Sequence, residues 1–403
     1  MTVKDVVIVG GGVGGISTAT ALRAGGFLGR ITLVDAGQHP YDRPPLSKDY
    51  LAGKKGLADI ALQPPGWYDE QSVELRNNAT AIAIVPAAGV VELATGERLN
   101  ADRVVLATGG EAARLAVPGA DLDAIHVLRS ADDARRLQEA LLPGARILVV
   151  GAGLIGAEVA STALQLGVEV TLVDPLASPL SAAIGLEAAD WLHSAHAVNG
   201  IRTLQTGITG FEQTAGGIET VLDGTLESFD AVVLGVGMKP NTALAEAAGL
   251  QVDRGVVVDA GQTTSNPAVL AVGDPTRRRV NGSVAKRAEH WEAAQLDGAR
   301  AAATILGLPV PAETVSWFWT DRHGMHVEAI GSLASATTTV VRGTLGEPPF
   351  ALFGLKDGEV VGAVAVDDSN VVRAARRMVD RRTPVDPGKL ADPTTDLRKL
   401  LRG

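Results

Sequence analysis

The chain has 403 residues, 46% hydrophobic and 20% charged, which excludes a disordered polymer and predicts two or three globular domains at roughly 150 residues each. It contains no cysteine, so a disulfide scaffold, a thiolate zinc site, a catalytic thiol and electron relay through a protein disulfide are excluded. The net charge of −10 argues against a nucleic-acid surface unless basic residues cluster locally.

The N-terminus runs straight into an apolar strand pattern, with no charged leader and no cleavage-site signature. No apolar run reaches about 18 residues, so no membrane span is predicted and the chain reads as cytoplasmic. The first element is the run Val6 to Val9, followed by Gly10, Gly12 and Gly15, an alanine-rich helical stretch, and a second run, Ile31 to Val34, ending on Asp35. Arg103 to Leu106 then predicts a strand that ends in the small-residue turn Ala107-Thr108-Gly109. The opening pattern returns at Ile147 to Val150, with Gly151, Gly153 and Gly156, another alanine-rich stretch, and Val170 to Val173 ending on Asp174. Asp230 to Gly237 repeats the strand-and-small-turn pattern.

Each repeat is a βαβ dinucleotide-binding fingerprint. Apolar runs without alternation suit strands buried on both faces of a parallel sheet. The first glycine makes a tight turn, the second lets backbone approach a diphosphate, and the third lets helix pack on strand. Phosphates then meet free N–H groups at the positive end of the helix. The terminal acid accepts a ribose hydroxyl and would repel a 2′-phosphate, so Asp174 favours NADH over NADPH. One such motif is a weak signal. Two, each in strand–helix–strand context with an acid, outweigh the alternative of two glycine packing turns. Two dinucleotide sites suggest one cofactor held and one that visits, and FAD with NAD(P)H is the commonest chemistry needing both.

Leu270 to Asp274 predicts a strand followed by Gly273-Asp274, where the acid can reach a ribitol hydroxyl. From Trp317 the pattern changes to short alternating strands. Phe350 to Leu355 and Val360 to Val366, around the turn Lys356-Asp357-Gly358, predict an antiparallel hairpin in a smaller α+β domain. The predicted fold class is α/β, with two Rossmann-like dinucleotide-binding domains and a C-terminal α+β domain.

Several segments carry a family resemblance. They are Pro40 to Lys48 (PYDRPPLSK), Ala107-Thr108-Gly109, His126 to Arg129 with Asp132-Asp133-Ala134, Gly151 to Glu158, Pro240-Asn241, Gly273-Asp274, Arg287 to Trp291, Trp317 to Trp319 with Asp321, and Leu390 to Pro393. On these the chain resembles the FAD-dependent, NADH-using ferredoxin reductases that serve oxygenases, of the putidaredoxin reductase and ring-dioxygenase reductase type. The resemblance implies a discontinuous FAD-binding domain over 1–107 and 235–315, an NADH-binding domain over 108–234 and a C-terminal reductase domain over 316–403. It also implies electron transfer from NADH through FAD to a [2Fe–2S] ferredoxin of a P450 or Rieske oxygenase. The alternatives are reduction of a rubredoxin, a quinone or another acceptor, or an NADH-responsive flavoprotein similar to apoptosis-inducing factor.

By the same resemblance, the Lys48 ammonium lies at the flavin edge, paired with the Glu158 carboxylate. These two are the candidate catalytic residues, against the plain alternative of a surface lysine and a solvated acid. Arg43 is expected near the phosphates or adenosine of the cofactor. Arg129, Gly237, Glu289 and His290 are further cofactor-binding candidates. Trp291 and Trp319 are expected near the isoalloxazine and nicotinamide, although core packing is the competing reading. A helix starting near Glu289 would aim its positive end at the flavin.

Val371, Ala375, Met378 and Val379 form one apolar helical stripe. Arg373, Arg376 and Arg377 lie off it, and Arg277, Arg278 and Arg279 form a second basic run. Both are candidate docking patches for an acidic ferredoxin, and a solvated face is the alternative. The histidine pairs His193/His196 and His323/His326 lack a convincing third ligand and read as background, with no metal site. Three departures from the family pattern stand out. Ser181 occupies a stretch that usually carries an arginine, Arg322 stands where a glutamine is usual, and His326 and Glu328 replace less polar residues.

Overall fold

The computed structural model describes residues 3–401. Two compact units form. One comprises Met1–Arg43, Lys55–Glu111 and Met238–Glu313; the other comprises Pro44–Lys54, Ala112–Gly237 and Thr314–Gly403.

The first unit is built on a five-stranded parallel sheet in the order Val269–Ala271, Arg103–Leu106, Asp5–Val9, Arg30–Val34, Val73–Arg76. The fingerprint strand is therefore central. Its apolar run is explained by burial on both faces: Ile8, Ile31, Leu33 and Val105 are fully enclosed. Burial of each such side chain contributes about 1.5–3 kcal/mol. The helix Val13–Ala24 packs against Trp291–Leu306, and Gly298 permits the approach, since a Cβ there would fall 2.8 Å from the Gly14 carbonyl oxygen.

The second unit contains a matching parallel sheet in the order Arg202–Leu204, Glu169–Val173, Arg146–Val150, Ala231–Leu234, Ile125–Val127. The sequence repeat is thus a repeat of topology. In both sheets the fingerprint strand sits between the strand that ends in the acid and the strand that ends in the small-residue turn. The same unit holds a five-stranded antiparallel sheet, ordered Trp317–Arg322, Met325–Gly331, Glu359–Val366, Glu347–Lys356, Thr338–Thr344. The hairpin expected around Asp357-Gly358 is present, and both residues adopt the left-handed φ values (53° and 80°) that a tight hairpin turn requires.

The helix Ser369–Arg381 is capped by Asp368, whose carboxylate accepts the Asn370 and Val371 N–H groups. Its buried face includes the predicted Val371, Ala375 and Met378 and extends to Val372 and Ala374, while Val379 is only partly buried. Among the described residues, no helix is long and apolar enough to cross a membrane.

Candidate functional site

The two glycine loops are built alike. Gly10 has φ +113°, and a Cβ there would lie 2.1 Å from the Ala107 oxygen; Gly151 has φ +97°, with its Cβ position 2.5 Å from the Gly235 oxygen. A Cβ on Gly15 would strike the Gly10 oxygen at 2.0 Å, and one on Gly156 would strike the Gly151 oxygen at 1.9 Å. No side chain larger than hydrogen fits at these four positions. The middle glycines differ. A Cβ on Gly153 would meet no described atom within 4 Å, and one on Gly12 would meet only the Arg43 guanidinium, at 3.3 Å. Open space thus lies over the start of the second helix, while at the first the Arg43 guanidinium stands close by. Gly12 and Gly153 are the N-cap residues and supply no side-chain cap. A cradle of this form suits a diphosphate.

The terminal acids share one wiring. Asp35 Oδ2 accepts the Gly11 N–H at 2.6 Å and Oδ1 accepts the Gly37 N–H at 2.6 Å. Asp174 accepts the Ala152 and Leu176 N–H groups, both at 2.8 Å. Each carboxylate therefore fixes its glycine loop.

In the first unit, Arg43 stands beside Gly12, as noted. Thr108 Oγ1 donates to the Asn241 oxygen at 2.8 Å, and Asn241 Nδ2 donates back to the Thr108 oxygen at 3.0 Å, clasping the turn through Gly109. The Gly273 N–H donates to Asp297 Oδ2 at 3.2 Å, next to Asp274. Burial raises the Asp297 carboxyl above the usual range, against the opposing pull of Arg300. Trp291 begins the helix Trp291–Leu306, and its indole N–H donates to Asp42 Oδ1 at 2.8 Å. His290 is that helix's N-cap, and burial lowers its imidazole pKa. Glu289 accepts the Arg287 Nε–H at 2.7 Å.

In the second unit, Glu158 projects from the fingerprint helix Leu154–Gln165 and is 3% exposed. Its Oε1 accepts Lys48 Nζ at 3.0 Å, Thr320 Oγ1 at 2.8 Å and the Asp321 N–H at 3.2 Å, while Oε2 accepts Ser47 Oγ at 2.5 Å. Four donors saturate this buried carboxylate. Lys48 Nζ also lies 3.4 Å from Asp321 Oδ2 and 5.8 Å from the Trp319 ring centroid, and Trp319 stacks on Trp317 at 4.9 Å. Lys48, Glu158 and Trp319 are therefore assembled in one cluster. The Arg129 backbone N–H donates to Asp133 at the start of the helix Ala131–Ala140. Gly237 has φ +109°, and its oxygen accepts the Ala113 N–H.

Behind Glu158 lie Arg322, one of the departures from the family pattern, and two histidines that read as background in the sequence. Arg322 is buried, and its Nη1 faces His196 Nε2 at 3.3 Å. His196 Nδ1 faces His323 Nε2 at 2.9 Å. An arginine always donates, so His196 must accept through Nε2 and donate through Nδ1. Burial, then the Arg322 cation, pushes His196 down to about 2 and His323 to about 4. Ser47 and Asp321 fall in the segments that carry the resemblance, but their bonds to Glu158, and the roles of Thr320 and the histidine pair, follow no linear spacing and are revealed only by spatial proximity.

The basic runs separate in character. Arg277 is buried, its guanidinium spent on Asp253 and on the Ala285 and Val284 oxygens, which corrects its reading as a surface cation. Arg278 pairs with Glu313, and Arg279 with Gln251. Arg373 and Arg377 are exposed and Arg376 is half-buried on the polar face of Ser369–Arg381. The Ser181 stretch folds as the single turn Ser181–Ile184.

The chain matches the pyridine nucleotide-disulphide oxidoreductase family over residues 4–298 and the reductase C-terminal family over residues 317–401. It is 36% identical to the ferredoxin–NAD(+) reductase subunit of the benzene 1,2-dioxygenase system of Pseudomonas putida, over 99% of this chain and 98% of that one. It is 34% identical to rhodocoxin reductase of Rhodococcus erythropolis, over 98% and 93% respectively. Among solved structures, that of the covalent putidaredoxin reductase–putidaredoxin complex is similar with a TM-score of 0.93 and 32% identity, covering 100% of this chain and 99% of that one.

Proposed function

From the premise that the chain belongs to the pyridine nucleotide-disulphide oxidoreductase family and ends in a reductase C-terminal domain, we propose that it oxidises NADH and passes the electrons through FAD to a small [2Fe–2S] ferredoxin of an oxygenase system. The observation that carries this reading is the pair of equivalent glycine cradles, each with its own acid, in a chain without cysteine. With no thiol to receive electrons, they must leave for an external acceptor. The chemistry FAD supplies when bound is acceptance of an electron pair and its release as single electrons.

The domains are read as FAD-binding over 1–107 and 235–315, NADH-binding over 108–234, and reductase C-terminal over 316–403. Gly10, Gly12, Gly15, Asp35 and Arg43 would hold the diphosphate and ribose of FAD. Ala107, Thr108, Gly109, Gly273, Asp274, Glu289, His290 and Trp291 would line the remainder, with Arg129. Gly151, Gly153, Gly156, Asp174 and Gly237 would hold NADH. Lys48, paired with Glu158, is read as standing at the flavin edge, where its ammonium would stabilise negative charge on reduced flavin, with Trp319 beside the isoalloxazine and nicotinamide. Removing a hydride from NADH leaves no proton to move, so no general base is required. A carboxylate saturated by four donors suits that task, because its function is to fix the Lys48 ammonium.

The finer docking reading places an acidic ferredoxin on Arg373, Arg376 and Arg377, with Arg278 and Arg279 secondary and Arg277 structural. The test is NADH-driven reduction of a [2Fe–2S] ferredoxin at low and high salt. Arg373→Glu with Arg377→Glu should lower the rate roughly tenfold at low salt and leave reduction of a small neutral dye unchanged. A salt-insensitive rate that the double variant leaves unaltered would overturn the docking reading. Absence of ferredoxin reduction alongside rapid dye reduction would overturn the proposed acceptor.

A further inference from the structure

Both ring nitrogens of His326 face carboxylates. Nδ1 lies 2.5 Å from Asp321 Oδ1, and Nε2 lies 3.3 Å from Glu328 Oε1. The other oxygen of Asp321 faces Lys48 Nζ at 3.4 Å, and Lys48 in turn donates to Glu158. The other oxygen of Glu328 accepts the Trp317 indole N–H at 2.8 Å. The strand register explains the assembly. Asp321 sits directly opposite His326, and Trp319 opposite Glu328, so these side chains share one face of the hairpin.

A neutral imidazole has one N–H and one lone pair, so it satisfies only one of two carboxylates. The row Glu328, His326, Asp321, Lys48, Glu158 alternates in sign, with every contact made, only when His326 is protonated. We propose that His326 is a positioning residue for NADH oxidation, its protonation deciding how far the Asp321 charge offsets the Lys48 ammonium. The inference rests on the reading of Lys48 and Glu158 as the pair at the flavin edge.

The groups facing His326 are mostly acidic. Asp321 comes from the preceding strand and Glu328 from its own. Asp367, just past the strand Glu359–Val366, accepts the His326 backbone N–H at 2.8 Å. Lys48 lies one contact further, beyond Asp321. Burial works to lower the imidazole pKa, but the hydrogen bond and charge of Asp321, then those of Glu328, raise it above the ordinary histidine value. Below that pKa the row alternates. As pH rises through it, the cluster gains one net negative charge. That charge offsets the Lys48 ammonium, so the negative charge a flavin gains on reduction would be less stabilised and hydride delivery slower, while the cationic oxidised nicotinamide would be held more tightly.

The test is anaerobic stopped-flow reduction of the FAD-loaded full chain by saturating NADH from about pH 5.5 to 9, with NAD+ affinity measured in parallel. The rate should fall about three- to tenfold across a single step centred above pH 6.5, and NAD+ should bind more tightly on the alkaline side. His326→Gln should remove the step and hold both quantities at their alkaline values. Glu328→Gln should keep the step and move its midpoint down. The same step and midpoint in His326→Gln as in the natural protein would overturn the inference while leaving the NADH reading intact. No reduction of either protein at any pH would overturn the NADH reading and this inference with it.

Discussion

Glu158 and His196 represent two ways of burying a titratable side chain. Glu158 is surrounded by donors, among them the Lys48 ammonium, so its charge is solvated by the protein itself. Lys48→Ala would leave Glu158 with its hydroxyl and backbone donors but without its bonded ammonium. The fold should survive, and the rate of flavin reduction by NADH should fall roughly ten- to hundredfold. Unchanged anaerobic reduction kinetics in that variant would remove Lys48 from the proposed machinery. His196 instead is held neutral beside the buried Arg322 cation. Its folded pKa, about 2, is far below the ordinary 6.5. The unfolded chain therefore binds the extra proton once pH drops below about 6.5, and stability is lost as pH falls from there toward the folded value. For one fully buried group the slope approaches about 1.4 kcal/mol per pH unit. Urea unfolding midpoints should fall between pH 7 and 5, and His196→Gln should make that fall shallower. An equal acid sensitivity in the variant would contradict the assignment.

At the scale of elements, the glycine loops separate the two nucleotide sites experimentally. Gly15→Ala would force a Cβ against the Gly10 oxygen in the first loop, and Gly156→Ala would do the same against the Gly151 oxygen in the second. The first variant should purify with little flavin. The second should retain its flavin and respond to dithionite, yet reduce roughly ten- to hundredfold more slowly with NADH. Flavin retention together with normal NADH kinetics in either variant would contradict the assignment of the loops. These elements were legible in the sequence because their information is local. A strand buried on both faces leaves an unbroken apolar run, and a glycine turn and terminal acid follow at fixed spacing. The hairpin at Asp357-Gly358 and the apolar stripe of Ser369–Arg381 were legible for the same reason. The Glu158 cluster was only half legible. Its donors Lys48 and Thr320 lie 110 and 162 residues away in the chain, and no spacing rule connects such positions. Arg277 misled because a run of three arginines reads as surface, whereas Asp253 and two backbone oxygens draw its guanidinium inward.

For the molecule as a whole, the account rests on division of labour within one chain: two duplicated nucleotide cradles, and a C-terminal domain that supplies Trp319, Thr320 and Asp321 to the Lys48–Glu158 cluster. Against the acidic net charge of −10, the arginine face of Ser369–Arg381 is a local exception. The central claim is that NADH delivers its electrons to a flavin held by this chain. The most direct measurement is an anaerobic absorbance titration of the purified protein with NADH. The account predicts oxidised-flavin bands that bleach stoichiometrically, with a long-wavelength charge-transfer band from nicotinamide stacked on flavin. Flavin bands that persist under excess NADH would contradict the proposed electron donor, and a protein that purifies without flavin and binds none when FAD is added would contradict the account as a whole.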